Sequence, residues 1–286
     1  MVKKQWIAAM ALGFSMSAQA ADFTDADAKY AQRDASIQTV REARAAYKAI
    51  LDQGAKDADL IRAAEGYLRS YIFEGAHYTS LLSEAGGQAP AGAGRETRKK
   101  IFNECWKVGA EVASPAKLGF ESPVYYYFKA SCIAYEAEVS NVIERLTLLP
   151  ELNKALDSGF ATQGGNLYEG GGLLRVKAAI KGNPEAKGLP GGIYNPEEAL
   201  NLVDQAIASE AYPGNAEGAL FCENYRRKVI TLNELKNHAE AHATADLVLA
   251  DFPLYLEEGL IPEFIRAETA DCIKHVADLK ASTPAN

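Results

Sequence analysis

The apolar residues of this chain recur with a helical period. Between residues 59 and 77, Leu60, Ala64, Tyr67 and Tyr71 fall on one face at i, i+4, i+7 and i+11. Residues 123–142 carry Tyr125, Phe128, Cys132, Tyr135 and Val139 in the same phase, and 216–235 carry Ala219, Cys222, Tyr225, Val229 and Leu232. In 262–279 the series is Ile265, Cys272, Val276 and Leu279, with Glu268 interrupting it. Shorter, alanine-rich helices are expected at 35–52, 95–113, 150–158, 196–209 and 239–251. Ser114-Pro115, Ser158-Gly159, Tyr212-Pro213-Gly214 and Phe252-Pro253 separate the two sets as breakers. Alternation of period two does not persist in any segment. The pattern predicts an all-α fold, an α-solenoid of degenerate hairpins like tetratricopeptide repeats (TPR-like), with about ten helices.

Small residues mark where helices must approach. Ala199 and Ala206 are seven apart behind Pro196, and Ala241, Ala245 and Val248 precede Pro253, which is expected to stop its helix. Residues 83–94, with four glycines, read as a flexible surface loop. Residues 183–195 exceed what a repeat turn needs and are expected to fold back over an edge of the array.

The N-terminus bears on location. Lys3 and Lys4 precede an apolar stretch from Trp6 to Met16, and Ser17-Ala18-Gln19-Ala20 has the small-x-small form of a cleavage site. Residues 1–20 are expected to be a signal peptide and 21–286 a single TPR-like domain. The mature start is then Ala21, where a lipoprotein would need cysteine, so no membrane anchor is expected and the chain is read as periplasmic and soluble. Net charge is −8, and loss of two lysines with the leader takes it to −10. Nucleic acid and anionic membranes are poor partners for such a chain.

Candidate chemistry is sparse. The cluster Gly164-Gly165-Asn166-Leu167-Tyr168-Glu169-Gly170-Gly171-Gly172 has no following Lys-Ser/Thr and contains an acid, which argues against a phosphate loop. Gly170, Gly171 and Gly172 are instead read as structural, letting a helix N-terminus pass its neighbour, with Arg175 as its anchor. His238 and His242, four apart with Asp246 a turn on, have a spacing that can hold a metal, but the alternating alanines and charges read as a solvated face. No metal, cofactor or catalytic residue is expected. The aromatics say more. Tyr125, Tyr126, Tyr127 and Phe128 surround one helical turn and cannot all face one core stripe. They are read either as core and inter-repeat packing, or, with Tyr67, Tyr71, Tyr168 and Arg175, as lining for a small ligand.

The four cysteines lie beyond the leader and allow three pairings. Cys105 and Cys132 stand at similar heights either side of a turn near residue 118, which favours a bridge between them. Cys222 and Cys272 sit on neighbouring long helices and form the weaker expected pair. Buried free thiols are the alternative, above all for the second pair.

The order of several segments adds to this. Tyr30-Ala31-Gln32-Arg33-Asp34 comes first. Leu149-Pro150-Glu151-Leu152-Asn153-Lys154-Ala155-Leu156-Asp157 leads into Tyr168-Glu169-Gly170-Gly171-Gly172-Leu173-Leu174-Arg175-Val176. Pro190-Gly191-Gly192 and Pro196-Glu197-Glu198-Ala199-Leu200 follow. Together these resemble the TRAP transporter T-component family (TatT), TPR-like proteins of the bacterial periplasm. The resemblance implies an all-α body with a cavity or pore. It also implies a partner, the substrate-binding protein of a TRAP transporter, a small hydrophobic ligand passed to it, and self-association into a homo-oligomer. The alternative is a protein–protein scaffold of the cell envelope with no small ligand.

Overall fold

The computed structural model describes residues 20–84, 93–187 and 193–284. The expected leader therefore lies outside the described residues except for Ala20, as does most of the glycine-rich stretch at 83–94. Among the described residues all regular structure is helical. The α-helices are α1 (Thr24–Ala31), α2 (Ile37–Asp52), α3 (Asp57–Glu84), α4 (Ala93–Ala113), α5 (Pro115–Leu118) and α6 (Pro123–Glu138). They continue as α7 (Val142–Ala161), α8 (Tyr168–Lys181), α9 (Pro196–Ile207), α10 (Cys222–Glu234), α11 (His238–Glu257) and α12 (Arg266–Ser282). No helix among the described residues is long and apolar enough to cross a membrane.

Successive helices pack as hairpins: α2 on α3, α4 on α6, α6 on α7, α8 on α9, α10 on α11. The series α1, α3, α6, α8, α10 and α12 also packs member to member and forms an inner layer, with α2, α4, α7, α9 and α11 outside it. This is the solenoid the apolar period predicts. Its hairpins hold because the inward stripes are buried: Ala64, Leu68, Phe102, Phe128, Ile133, Val203, Val229, Leu232, Val248, Phe252 and Val276 are sealed from solvent. The cysteines add two covalent ties. Cys105–Cys132 joins α4 to α6 with Cα atoms 6.0 Å apart, and Cys222–Cys272 joins α10 to α12 at 6.2 Å.

Two breakers behave differently from expectation. The helix expected at 150–158 is the second half of α7, which begins at Val142 and carries Pro150 inside it. A capping box sets that start: Asn141 Oδ1 accepts from the Glu144 N–H at 3.0 Å, and Glu144 accepts from the Asn141 N–H at 3.1 Å. Gly159 does not end α7 either. A Cβ there would sit 2.5 Å from Leu173, so glycine is needed where α7 crosses α8. Pro253 likewise stands inside α11, which runs on to Glu257 because Phe252 is anchored in the core. The last long helix starts at Arg266, behind a 3-10 turn at Glu263–Ile265.

The array also closes. Arg33, just past α1, is fully buried against the turn before α12. Its Nη1 donates to the Tyr30 carbonyl at 2.9 Å and its Nη2 to the Phe264 carbonyl at 3.2 Å, and it pairs with Glu268. Phe264 packs against both the N-terminal and the C-terminal apolar clusters. First and last inner helices thus meet, and the inner layer encloses space.

Candidate functional site

That space is a cavity of about 650 Å³, within the range that holds small ligands. Its wall draws on α3, α6, α7, α8, α10 and α12, so no single repeat makes it. One part is apolar: Leu146, Leu149 and Leu152 of α7, Val176 and Ile180 of α8, and Ile193 of the 183–195 segment. Residues 188–192 of that segment lie outside the described residues; at its described ends the Asn195 N–H reaches the Lys181 carbonyl at 2.8 Å and Glu185 pairs with Arg145. The other part is polar: Arg69, Glu169, Arg175, Glu223, Arg226 and Arg227.

The polar part is built around a left-handed turn. Glu169, Gly170 and Gly171 have φ of 54°, 54° and 77°, so regular helix begins only at Gly172. Gly171 has no substitute here, since a Cβ would lie 2.6 Å from the Ala206 Cα of α9. At Gly170 a Cβ would meet the Phe221 ring at 2.1 Å. Glu169 is the one side chain in the turn, and a positive φ costs a non-glycine residue roughly 1 kcal/mol or more. Its carboxylate is buried against Arg69, whose Nε donates at 3.0 Å and whose Nη2 also donates to it. The turn thereby presents one acid to one base across the cavity floor.

Arg69 also lies 3.9 Å from Glu65, which accepts the Tyr168 hydroxyl at 2.6 Å. Burial pushes the Glu65 carboxyl above its usual range, against the pull of Arg69. Arg175 is aimed from the opposite side. Its Nη1 donates to Asn224 Oδ1 at 2.7 Å, and Asn224, fully buried, donates to the Gly170 and Gly218 carbonyls at 2.9 Å each. Every hydrogen-bonding group of that amide is engaged, so Asn224 locks the left-handed turn and Arg175 together.

Helix α10 contributes a charged face at i, i+3, i+4 and i+7: Glu223, Arg226, Arg227 and Ile230 all line the cavity. Arg226 Nε donates to both Glu223 oxygens, at 3.0 and 2.8 Å. Burial opposes the charge on Glu223, but Arg226, then Arg227 and Arg175, together draw its carboxyl below the usual range. Burial, and then the adjacent Arg226 charge, push Arg227 below the ordinary arginine value. Arg227 Nε and the Tyr30 hydroxyl are buried without a hydrogen-bond partner among the described residues.

Of the residues singled out from sequence, Tyr127 and Arg175 line this cavity. Tyr67 and Tyr71 do not. They are buried between α2, α3 and α4, where Tyr71 donates to Glu104 at 2.8 Å. Tyr125 is buried in the same core, and Tyr126 turns outward to Glu121 at 2.6 Å. Tyr168 is fully buried, edge-on to Tyr127 and Tyr212. Tyr67, Tyr71, Tyr125 and Tyr168 are thus buried in the apolar core, and Tyr126 is only half-buried. Gly172 packs on the Tyr127 ring, where a Cβ would come within 2.4 Å. His238 faces Asn233, His242 the Pro284 carbonyl and Asp246 the Lys280 ammonium. Among the described residues no group of three or more His, Cys, Asp or Glu is placed to hold a metal.

The residues that sequence reasoning missed are Arg69, Glu169, Glu223, Arg226 and Arg227. Their one legible signal is the charged run Glu223-x-x-Arg226-Arg227, which keeps helical period on the face opposite the apolar series of α10. A second cavity, of about 1160 Å³, lies beside the first and shares Tyr30, Arg69 and Phe264 with it. These three residues form the partition between the two. A scan against protein-family models finds no match, and a search of curated proteins finds no relative.

Proposed function

We propose that this chain is an exported helical-repeat protein that binds a small, largely apolar molecule in its central cavity. One observation carries the reading: a cavity of ligand size, lined both by apolar side chains of α7 and α8 and by ordered charged ones from several inner helices. Side chains that only stabilise a solenoid would close such a gap, since voids in a core forfeit packing energy. The two disulfides support export, because bridges persist in oxidising compartments. Native mass spectrometry of the chain purified from its own compartment should show a co-purifying mass below about 1 kDa, in keeping with the cavity's drug-like size. The variant Ile180→Trp should lose it by filling the apolar side. Ligand-free protein that also binds no apolar fluorophore would sink the reading.

A protein partner is favoured by a separate observation. Val142, Ile143 and Leu146 are 54%, 76% and 40% exposed at the start of α7. Val142 and Leu146 also line the cavity, so the apolar surface is continuous from the rim inward. The resemblance to the T-component family supplies the candidate, a transporter's substrate-binding protein that docks at this rim. Ile143→Glu should abolish co-elution with that partner while leaving the melting temperature unchanged.

A further inference from the structure

Three of the carboxylates that line the cavity are already taken. Glu169 is bound by Arg69, Glu223 by Arg226, and Glu268 by Arg33. Two arginines are left over. Arg175 is held by neutral oxygens, the Asn224 amide and the Glu169 carbonyl, and has no carboxylate in ion-pair contact among the described residues. Arg227 has no ion pair among them, and its Nε has no hydrogen-bond partner. Both are near enough to Glu223 to stabilise its charge, so one carboxylate stands among three guanidiniums. Glu138, exposed at the end of α6, also lines the cavity and its charge acts on both Arg226 and Arg227, but it makes no ion pair with either. Two guanidiniums without an ion pair among the described residues, Arg175 and Arg227, therefore line a cavity that also carries apolar side chains.

We propose that the cavity takes an organic anion with an apolar tail, its head held by Arg175 and Arg227 and its tail lying along Leu149, Val176 and Ile180. The inference rests on the reading of the cavity as a ligand site and adds the ligand's class. A planar guanidinium binds a carboxylate or phosphate oxygen pair in a fork, and such bonds are the strong ones in a dry site. A neutral ligand would leave Arg227 unpaired, and a cationic one would set a further positive charge beside Arg175 and Arg227. Asn224 fixes the direction of Arg175, so the head-binding geometry is preorganised.

Isothermal titration calorimetry with three probes of equal tail tests this: decanoate, decanol and decylammonium, each below its micelle concentration. Decanoate should bind at least about tenfold more tightly than decanol, the step expected of one charge-assisted bond, and decylammonium should not bind. Arg227→Gln should narrow the gap between decanoate and decanol, with Arg175 keeping the remainder, and Arg227→Lys should restore part of the difference; an undiminished gap in Arg227→Gln would take Arg227 out of the head site. Decyl phosphate in place of decanoate tells a tetrahedral head from a planar one; tighter binding of either than of decanol supports the proposal. If decanol binds as well as decanoate, the anion inference is overturned and the cavity reading stands. If none of the probes binds, both fall. Should Arg227→Gln fail to fold, the three probes on the wild-type chain decide alone.

Discussion

Glu169, Gly170 and Gly171 show how much of this site hangs on backbone sign. Three consecutive left-handed residues cannot be read as the start of an α-helix, and only glycine tolerates two of the three without strain. Gly171→Ala adds a Cβ at a φ of 77° and 2.6 Å from backbone. Strain and overpacking add here, so the variant should lose roughly 2 kcal/mol or more, read from urea unfolding. A midpoint equal to wild type would show that the turn is not held as described. His77 makes a second prediction at this scale. It is stacked on Phe73 at 4.3 Å and lies 3.7 Å from Asp271 of α12. Burial holds its pKa below the usual 6.5, although Glu268 and Asp271 oppose the shift. The unfolded chain then binds the proton that the native chain refuses, so stability is lost as pH falls below that value. Urea midpoints should drop between pH 7.5 and 5.5, and His77→Gln should flatten that drop. An equal pH slope in the variant would remove His77 from the account.

At the scale of elements, what periodicity could predict and what it could not divide along one physical line. The inner helices were legible because their buried stripes repeat every three or four residues. Tyr125, Phe128, Cys132 and Tyr135 on α6 are an example. Proline was misleading because its cost is local. Pro150 and Pro253 each remove one backbone N–H, and burial of Leu152, Leu156 and Phe252 around them outweighs that loss. The cavity floor was illegible because its members are distant in sequence. Arg69 and Glu169 are 100 residues apart, and Arg175 and Asn224 are 49 apart. Each of these alone reads as an ordinary polar surface residue. The cysteines were an exception, since helix rise relates position to height and so restricts which pairs can meet. Cys105–Cys132 closes a separation of 27 residues and Cys222–Cys272 one of 50. By the chain-entropy account each should contribute about 3–4 kcal/mol, the longer loop slightly more. The double variants Cys105→Ser/Cys132→Ser and Cys222→Ser/Cys272→Ser should each lower the melting temperature, the second by no less than the first. Non-reducing peptide mapping that recovers Cys105 joined to Cys222 would refute the hairpin register.

For the molecule as a whole, the decisive contact is the one that brings its two ends together. A solenoid whose inner helices run α1 to α12 is open unless α1 finds α12, and an open array has walls but no cavity. Arg33 makes that meeting. Its guanidinium lies over the Tyr30 ring at 4.2 Å and the Phe73 ring at 5.2 Å, donates to carbonyls on both sides of the seam, and ends on Glu268. This accounts for the charge that interrupts the apolar series of the last helix: Glu268 is the acceptor for Arg33. It also gives Tyr30 and Arg33, part of the opening Tyr-Ala-x-Arg-Asp segment, a shared place at the seam. Tyr30, Phe264 and Glu268 all line the cavity, so the seam and the binding floor are continuous. Arg33→Met keeps most of the volume and removes the fork. It takes the side-chain donor from the Glu263 and Phe264 carbonyls and from the Glu268 carboxylate, a loss of about 3 kcal/mol, while the Tyr30 carbonyl keeps the backbone N–H of residue 33. Because α1 and α12 carry fewer neighbours than the middle helices, that loss should fall on them first. Hydrogen exchange should speed up in α1, the 263–268 turn and α12, while α6, α8 and α9 stay protected, and binding of any cavity ligand should weaken with it. Arg33→Lys should not rescue, since an ammonium cannot span carbonyls and carboxylate in one plane. Uniform loss of protection along the chain would mean that the ends are not a separate closure but part of one cooperative core.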